Sequence, residues 1–112
     1  MQLIICIDEE TMVRTLFAEF SELCEDGAYD CIEEDHEDFK FLFRRDSDGT
    51  EHSVELAQAM TGFQAFVVAV HRGELSQFTD LDTDSVQEPD AWQCSDIDMM
   101  LQYVIDGKLF EP

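Results

Sequence analysis

The sequence predicts an α+β fold: a small antiparallel or mixed sheet with two to three helices packed on one face. Apolar residues recur at three- and four-residue intervals in some stretches, which is typical of helices. In other stretches they alternate with polar residues, which is typical of strands. The length of 112 residues suits one domain with one core. We therefore expect a single acidic domain over residues 1–112.

The N-terminal third is predicted to contain a strand, a helix and a second short strand. Residues 2–7 form a short β-branched run, too brief for a helix, and are expected to form a buried strand. Asp8 is the expected N-cap of the following helix, because residues 12–24 carry apolar side chains at helical spacing, and Gly27 is the expected stop. Residues 28–38 are expected to form a short strand and then an acidic loop.

The middle of the chain is predicted to form a β-hairpin followed by helix. Residues 39–45 alternate phenylalanines with Lys, Leu and Arg, as a half-buried strand does. Residues 46–49 read Asp-Ser-Asp-Gly and predict a turn, after which residues 50–55 return as the second strand. Residues 54–72 have helical spacing and indicate one or two helices. A strand across residues 63–70 remains an open alternative, because Phe and Val are good strand formers.

The C-terminal part is predicted to be an acidic connection followed by a last helix. The connection begins at Gly73 and is polar. Ser95 is the expected N-cap of the helix, and Gly107 is the expected stop. The apolar face of this helix is expected to comprise Ile97, Met100, Leu101, Val104 and Ile105.

The cysteines and the N-terminus indicate a reducing compartment. Cys6, Cys24, Cys31 and Cys94 have no CxxC spacing, so we expect small buried hydrophobic residues rather than a disulfide framework. The chain opens without the basic region and long apolar region of a signal peptide, and no apolar stretch approaches membrane-spanning length. We therefore expect the cytoplasm of a bacterial or archaeal cell, with no membrane partner.

Charge is the strongest signal in the sequence. Twenty-seven acidic residues against six basic residues leave a net charge of −21 at pH 7. Repulsion among so many like charges destabilises a compact fold. The excess of acidic residues therefore indicates that the partner or the environment requires an acidic surface. Phosphates would be repelled, and the sequence has no basic patch. We therefore expect no direct binding to nucleic acid.

Two long stretches hold most of the carboxylates and contain no Lys or Arg: residues 22–38 and residues 73–106. Such an array favours a basic protein as the partner. The residues predicted to bind it are Glu22, Glu25, Asp26, Asp30, Glu33, Glu34, Asp35, Glu37, Asp38, Asp80, Asp82 and Asp84. If residues 80–84 are extended, their three carboxylates lie about 6.5 Å apart, near the spacing of successive phosphates. A solvated acidic loop is the other interpretation of this segment.

No pattern in the sequence indicates an enzyme, a cofactor or a metal site. Residues 46–49 resemble part of a calcium-binding loop, but Arg44 stands where the first carboxylate is needed. The cysteine and histidine spacings do not match those of zinc ligands. The sequence contains neither a nucleophile elbow nor a Gly-rich phosphate loop. We expect a binding protein.

In size and composition the chain resembles the DNA-mimic proteins of phages and mobile elements, such as anti-restriction, anti-CRISPR and uracil-DNA glycosylase inhibitors. The resemblance covers overall character, and no residue-level role carries over from it. It implies an acidic inhibitor that blocks the DNA- or RNA-binding site of a host defence or DNA-processing protein. A CRISPR or restriction effector is the expected kind of partner, and its binding should depend strongly on salt.

Two other functions remain open at this point. An adaptor or chaperone-like module for a basic protein would need the same acidic surface. A halophilic cytoplasmic domain would also be acidic, but its charges should be spread evenly, whereas three of the six basic residues here fall within residues 39–45. A homodimer is possible, because two copies would lengthen the array of carboxylates.

Overall fold

The computed structural model describes residues 8–24 and 27–107. Its elements are α1 (Glu9–Leu23), β1 (Tyr29–Asp35), β2 (Lys40–Arg45), β3 (Glu51–Glu55), α2 (Leu56–His71), two 3-10 turns (Ser85–Gln87 and Pro89–Ala91) and α3 (Cys94–Asp106). The predicted α+β fold is confirmed, and the three strands form one antiparallel sheet in the order β1-β2-β3. The strand predicted over residues 2–7 lies outside the described residues.

Helix α1 begins where the sequence predicts. Asp8 is extended, and its Oδ1 accepts a hydrogen bond from the Thr11 backbone N–H at 3.1 Å, so it is the N-cap. The helix ends at Leu23, four residues before the predicted stop. Gly27 has a different role, because it lies so close to Asp98 that a Cβ there would overlap the carboxylate. The side chains that α1 buries are Met12, Val13, Leu16, Phe17 and Phe20.

The sheet buries the face that carries the alternating phenylalanines. Phe39, Phe41 and Phe43 are all almost fully buried, as the alternation predicts. The ring of Phe17 in α1 lies 4.8 Å from the ring of Phe39 and 5.2 Å from that of Phe41, with the planes strongly inclined. Inclined rings at this distance attract each other beyond the gain from burial. Helix α1 therefore packs on this face of the sheet, and the opposite face carries charged residues and the half-buried Leu42.

Residues 56–71 form one continuous helix, α2, and the alternative of a strand across residues 63–70 is wrong. Burial follows helical periodicity, since the residues turned to the core are Ala59, Gly62, Phe63, Phe66, Ala69 and Val70. Gly62 marks the place where α2 crosses α3. A Cβ at this position would overlap the backbone of Val104, so glycine here permits the close approach of the two helices.

Helix α3 begins at Cys94, and the prediction of Ser95 as its N-cap is wrong by two residues. Gln93 is the N-cap: its side chain and that of Asp96 form a reciprocal capping box. The predicted stop is confirmed, because Gly107 takes the left-handed conformation with φ of 74° and its N–H bonds to the Tyr103 carbonyl. The predicted apolar face lies in the core, although Ile105 is only partly buried.

The acidic connection between α2 and α3 is anchored by apolar side chains. Leu75, Leu81, Val86 and Trp92 are buried. The Trp92 ring lies 5.1 Å from that of Phe66, and its Nε1–H donates to the Val86 carbonyl at 3.1 Å. The polar edge of the indole is thus satisfied inside the core. The connection is therefore part of the folded unit.

A disulfide joins Cys24, which follows α1, to Cys94, the first residue of α3. The two Cα atoms are 5.4 Å apart although 70 positions separate the residues in sequence. The expectation that all four cysteines are unpaired is therefore wrong for this pair. Cys31 is a partly buried free thiol, and burial together with the neighbouring Glu34 raises its pKa to about 11. Cys6 lies outside the described residues.

Candidate partner-binding surface

The solvent-exposed side of the sheet, which we call the outer sheet face, carries the charged side chains of the strands. Strand β1 has an irregularity between Cys31 and Glu33, where one extra residue is inserted. Because side chains alternate along a strand, this bulge puts Asp30, Glu33 and Asp35 on the same side. The pairs that it forms with β2 are Asp30 with Arg44, Glu33 with Leu42 and Asp35 with Lys40.

Strand β3 adds a second row of carboxylates to the outer sheet face. Glu51 lies opposite Arg44, and Glu55 lies opposite Lys40. Lys40 and Arg44 of the central strand therefore each stand between two carboxylates, and such cross-strand pairs contribute about 0.2–1 kcal/mol each. The acidic stretch over residues 22–38 contains no cation, but the fold brings two cations beside it. Asp30 and Asp35, the two β1 carboxylates opposite these cations, are thus less available to a partner than the sequence predicts.

The end of the β1–β2 hairpin carries a dense group of exposed carboxylates. We call this group the acidic hairpin: Glu33, Glu34, Asp35, Glu37 and Asp38, all of them exposed. Two local contacts shape it. The Asp38 backbone N–H donates to Asp35 Oδ1 at 3.2 Å, and His36 Nε2 lies 3.6 Å from Glu34 Oε1. The turn is tight, because Phe39 takes a φ of +50° before its ring enters the core.

A single arginine fixes the acidic hairpin against the first turn of α1. Arg14 donates from Nη1 to the His36 carbonyl at 3.0 Å and from Nε to Glu10 at 3.1 Å. Its guanidinium also lies 5.6 Å from the centre of the Phe39 ring, within the range of a cation–π contact. The exposed Glu10 therefore lies at the same end of the molecule as the acidic hairpin. The sequence places Glu10 in the first turn of a helix but carries no signal of this proximity.

The carboxylates of Asp80, Asp82 and Asp84 do not form an extended ladder. Asp82 Oδ1 accepts from the backbone N–H groups of Asp84 at 3.0 Å and of Ser85 at 2.8 Å. These hydrogen bonds lower the pKa of Asp82 and commit its carboxylate to the turn that precedes Ser85–Gln87. Asp80 and Asp84 are exposed. The extended interpretation of residues 80–84 is therefore wrong, and the solvated loop describes this segment better.

Other acidic residues of the second stretch act inside the fold. Buried Asp96 accepts from the Thr79 hydroxyl and from the Gln93 N–H. Asp98 accepts from the Ala28 N–H at 2.9 Å and so ties α3 to the start of β1. These carboxylates would be hard to replace, because a buried donor left without its acceptor costs about 1–3 kcal/mol. Their negative charge serves the fold rather than a partner.

Asp106 joins the end of α3 to the sheet. It accepts a hydrogen bond from the Tyr29 hydroxyl at 2.6 Å and forms an ion pair with Arg45. Burial, together with the carboxylate of Asp106, raises the pKa of Tyr29 above its ordinary value, so the phenol stays protonated and donates. The carboxylate of Asp106 therefore also stabilises the fold.

The remaining predicted residues are separated from the acidic hairpin along the chain. Glu22 is exposed in the last turn of α1, whereas Glu25 and Asp26 lie outside the described residues. The structure therefore places Glu33, Glu34, Asp35, Glu37 and Asp38 on one hairpin, and the other predicted residues that it describes lie elsewhere along the chain.

Every cation in residues 8–24 and 27–107 lies beside a carboxylate. Lys40 and Arg44 stand in the rows of the outer sheet face. The ion pairs of the others are Arg14 with Glu10, Arg45 with Asp48 and Asp106, and Arg72 with Glu74. The described surface thus offers a phosphate no Lys or Arg that lacks a neighbouring carboxylate.

In the described part of the chain, no three His, Cys, Asp or Glu side chains are grouped so that they could hold a metal ion. None of the helices described is long and apolar enough to cross a membrane. Comparisons with models of protein families, with curated proteins and with solved structures found no match.

Proposed function

We propose that the protein is an acidic inhibitor that mimics nucleic acid and occupies the DNA- or RNA-binding site of a basic protein. The acidic hairpin is the main contact in this proposal. The observation that carries it is that five exposed carboxylates stand on one hairpin that Arg14 fixes against α1. A charge array on a fixed support loses little conformational entropy when it binds.

The spacing of the hairpin carboxylates supports mimicry of a phosphate chain. Glu33 and Asp35 lie on one side of β1, two residues apart, which corresponds to about 6.6 Å at the rise of a strand. This is near the spacing of successive phosphates along a nucleic-acid strand. Lys and Arg side chains that hold phosphates can form charge-assisted hydrogen bonds with carboxylates in the same way. We propose a host defence or DNA-processing protein as the partner, such as a CRISPR or restriction effector, in keeping with the resemblance in size and composition to DNA-mimic inhibitors.

The disulfide bears on the compartment in which this inhibitor acts. We propose action in the cytoplasm of a bacterial or archaeal host cell, where thiols are generally kept reduced. Cys24 and Cys94 would then be thiols at the place of action. Neither residue belongs to the acidic hairpin, so inhibition should survive reduction.

A capture experiment with a competitor tests the function. The tagged protein, with and without dithiothreitol, is incubated with bacterial lysate at about 0.05 M and about 0.3 M NaCl, with and without duplex DNA. We expect a nucleic-acid enzyme to be captured at low salt and displaced by DNA. The captured protein is then purified, and its DNA binding is titrated with the inhibitor. Capture that DNA leaves unchanged would instead favour an adaptor for a basic protein.

A matched pair of variants tests the surface. The first variant neutralises the acidic hairpin through Glu33→Gln, Glu34→Gln, Asp35→Asn, Glu37→Gln and Asp38→Asn. The second neutralises five exposed carboxylates elsewhere through Glu74→Gln, Asp80→Asn, Asp84→Asn, Glu88→Gln and Asp90→Asn. Both have the same net charge, so they differ only in where charge is lost. We expect the first to lose at least about a hundredfold in affinity and the second about tenfold or less.

A larger loss of affinity in the second variant than in the first would show that the partner contacts the connection between α2 and α3. Equal losses in both variants would show that net charge alone attracts the partner, and the hairpin would then have no special role. A single indispensable carboxylate would also contradict mimicry by a distributed array, because exposed charges each contribute about 1 kcal/mol or less.

A further inference from the structure

The bond between Cys24 and Cys94 joins two segments whose positions the fold also sets without it. Cys24 is the C-cap of α1, and its N–H donates to the Phe20 carbonyl at 3.1 Å. Cys94 is the first residue of α3, next to the capping box of Gln93 and Asp96. Neither of these anchors involves a sulfur atom. Each cysteine is therefore held in place by the end of its own helix.

A second tie joins the same two segments one helical turn further along α3. Asp98 follows Cys94 by four positions, so the two side chains share one side of the helix. Its Oδ1 accepts from the N–H of Ala28, four positions after Cys24, at 2.9 Å. Asp98 also fills the space where a Cβ of Gly27 would lie. Because this tie does not depend on the oxidation state of the cysteines, it keeps the two thiols close together after reduction.

The disulfide is open to small reagents from one side. Cys94 is exposed, whereas Cys24 is half-buried. A thiolate in solution can therefore reach the sulfur of Cys94. Exposed disulfides are generally the ones that exchange with small thiols, whereas the structural disulfides of secreted proteins resist reduction. The structure thus combines an accessible bond with two thiols that stay in place once the bond is broken.

We propose that Cys24 and Cys94 form a reversible redox switch that exchanges with glutathione, and that Asp98 is the positioning residue of this switch. In a reducing glutathione pool the pair is a dithiol. When the share of oxidised glutathione rises, the pair becomes a disulfide, because the two thiols already lie next to each other. The switch changes the stability of the protein through the cross-link and leaves its fold the same.

The exchange takes place in two steps. In the oxidising direction, the Cys94 thiolate attacks one sulfur of oxidised glutathione, whose S–S bond breaks, and one glutathione thiolate leaves. The Cys24 thiolate then attacks the Cys94 sulfur of the mixed disulfide, and the second glutathione thiolate leaves. The two cysteine protons end on the two glutathione thiols, and the two electrons of the pair reduce the glutathione disulfide. In the reducing direction the same steps run backwards.

The switch does not rest on the proposed function. None of its three residues belongs to the acidic hairpin, and its equilibrium is measured on the protein alone. A failure of the switch would therefore leave the capture of a basic partner unaffected, and a failure of that capture would leave the switch unaffected.

A glutathione titration of the full chain tests the switch. The protein is equilibrated with mixtures of reduced and oxidised glutathione that span the cytosolic range, quenched with acid and alkylated. Peptide mapping by mass spectrometry then counts the disulfide of this pair separately from Cys6 and Cys31. We expect conversion from dithiol to disulfide within this range. A pair that stays a disulfide throughout is a permanent cross-link, and a pair that stays a dithiol throughout does not switch. Either result overturns the proposal.

Variants of Asp98 test its positioning role. The measured quantity is the ratio of oxidised glutathione to the square of reduced glutathione at half-conversion. Asp98→Ala removes the acceptor of the Ala28 N–H, so the thiols are placed less well and the ratio should rise at least about tenfold. Asp98→Asn keeps an acceptor oxygen and should stay within about threefold of the original. Asp84→Ala, which removes an exposed carboxylate elsewhere, is the matched control and should also stay within about threefold.

Hydrogen exchange tests whether the two oxidation states share one fold. In the reduced protein the Ala28 amide should stay protected at least about a hundredfold relative to an unstructured amide, because Asp98 still accepts its hydrogen bond. A reduced protein that loses this protection overturns the inference. An unchanged glutathione equilibrium in Asp98→Ala does so as well, since a substitution that destabilises both oxidation states equally does not move the ratio. Thermal unfolding confirms that each variant is folded.

Discussion

Asp48 is held in its charged form by the turn between β2 and β3. Hydrogen bonds from the Thr50 hydroxyl and N–H, at 2.7 and 3.0 Å, lower its pKa to about 2, and Arg45 at 3.1 Å adds to the effect. A carboxylate whose pKa is lower in the folded than in the unfolded state stabilises the fold above the unfolded pKa. This contribution is lost as the pH falls through the folded pKa.

We therefore expect Asp48→Asn to destabilise the protein at neutral pH and to lose this effect in acid. The stability difference between the original and the variant should be constant above about pH 5 and shrink toward zero by about pH 2. Urea unfolding at several pH values measures it. Asp46→Asn is the control, because its carboxylate accepts none of these hydrogen bonds. A difference that grows in acid would contradict the assignment.

The close packing of α2 against α3 depends on the absence of a Cβ at Gly62. Alanine is a better helix former by about 1 kcal/mol. However, the added Cβ would overlap the backbone of Val104, and α2 and α3 would have to separate. We expect Gly62→Ala to lower the free energy of unfolding by about 1–3 kcal/mol. Thr61→Ala, at the exposed neighbouring position, should change it by less than about 0.5 kcal/mol in the same urea titration. A stabilised Gly62→Ala variant would refute the close crossing.

The disulfide ties the end of α1 to the start of α3. A cross-link over 70 positions restricts the unfolded chain, and the double variant Cys24→Ser, Cys94→Ser should lose about 2–4 kcal/mol of unfolding free energy. Dithiothreitol is the internal control. It should bring the original protein down to the stability of the variant and leave the variant unchanged. An original protein that dithiothreitol does not destabilise would argue against the bond.

Helices and strands with regularly spaced apolar residues could be predicted from the sequence. Features that depend on contacts between residues far apart in sequence could not. The faces of α1 and α3 follow from apolar spacing, and the alternation of Phe39, Phe41 and Phe43 gives the buried side of the sheet. The end of α1 and the start of α3 differ from the prediction, and the Gln93 capping box and the contact of Gly27 with Asp98 involve partners that propensity does not identify. The disulfide had no local signal at all, since its spacing matches no motif.

The charged surface was predictable in amount but not in arrangement. The sequence contains no cation in residues 22–38, yet the hairpin brings Arg44 and Lys40 beside that stretch. The bulge in β1 decides which carboxylates share a side, and a single inserted residue reverses the alternation. Asp82, Asp96 and Asp98 could not be separated from free surface charges, because their hydrogen-bond donors become visible only in the fold.

At the scale of the whole molecule, the acidic hairpin should serve binding at the expense of stability. Neutralising its five carboxylates should raise the melting temperature at about 0.02 M NaCl, because self-repulsion within a chain of −21 falls. The increase should disappear at about 0.5 M NaCl, where salt screens exposed charges. Calorimetry at the two salt concentrations measures both. A variant that melts lower at low salt would mean that the hairpin carboxylates support the fold.

The link between Cys24 and Cys94 also determines what a protease can release. Most of the chain, including the acidic hairpin, all of α2 and the connection to α3, lies between the two cysteines. One cleavage anywhere in that interval opens the polypeptide but leaves both fragments in one covalent molecule. The oxidised protein can therefore be nicked in an exposed loop and keep the hairpin attached to both terminal helices. The reduced protein must rely on its core alone to hold the pieces together.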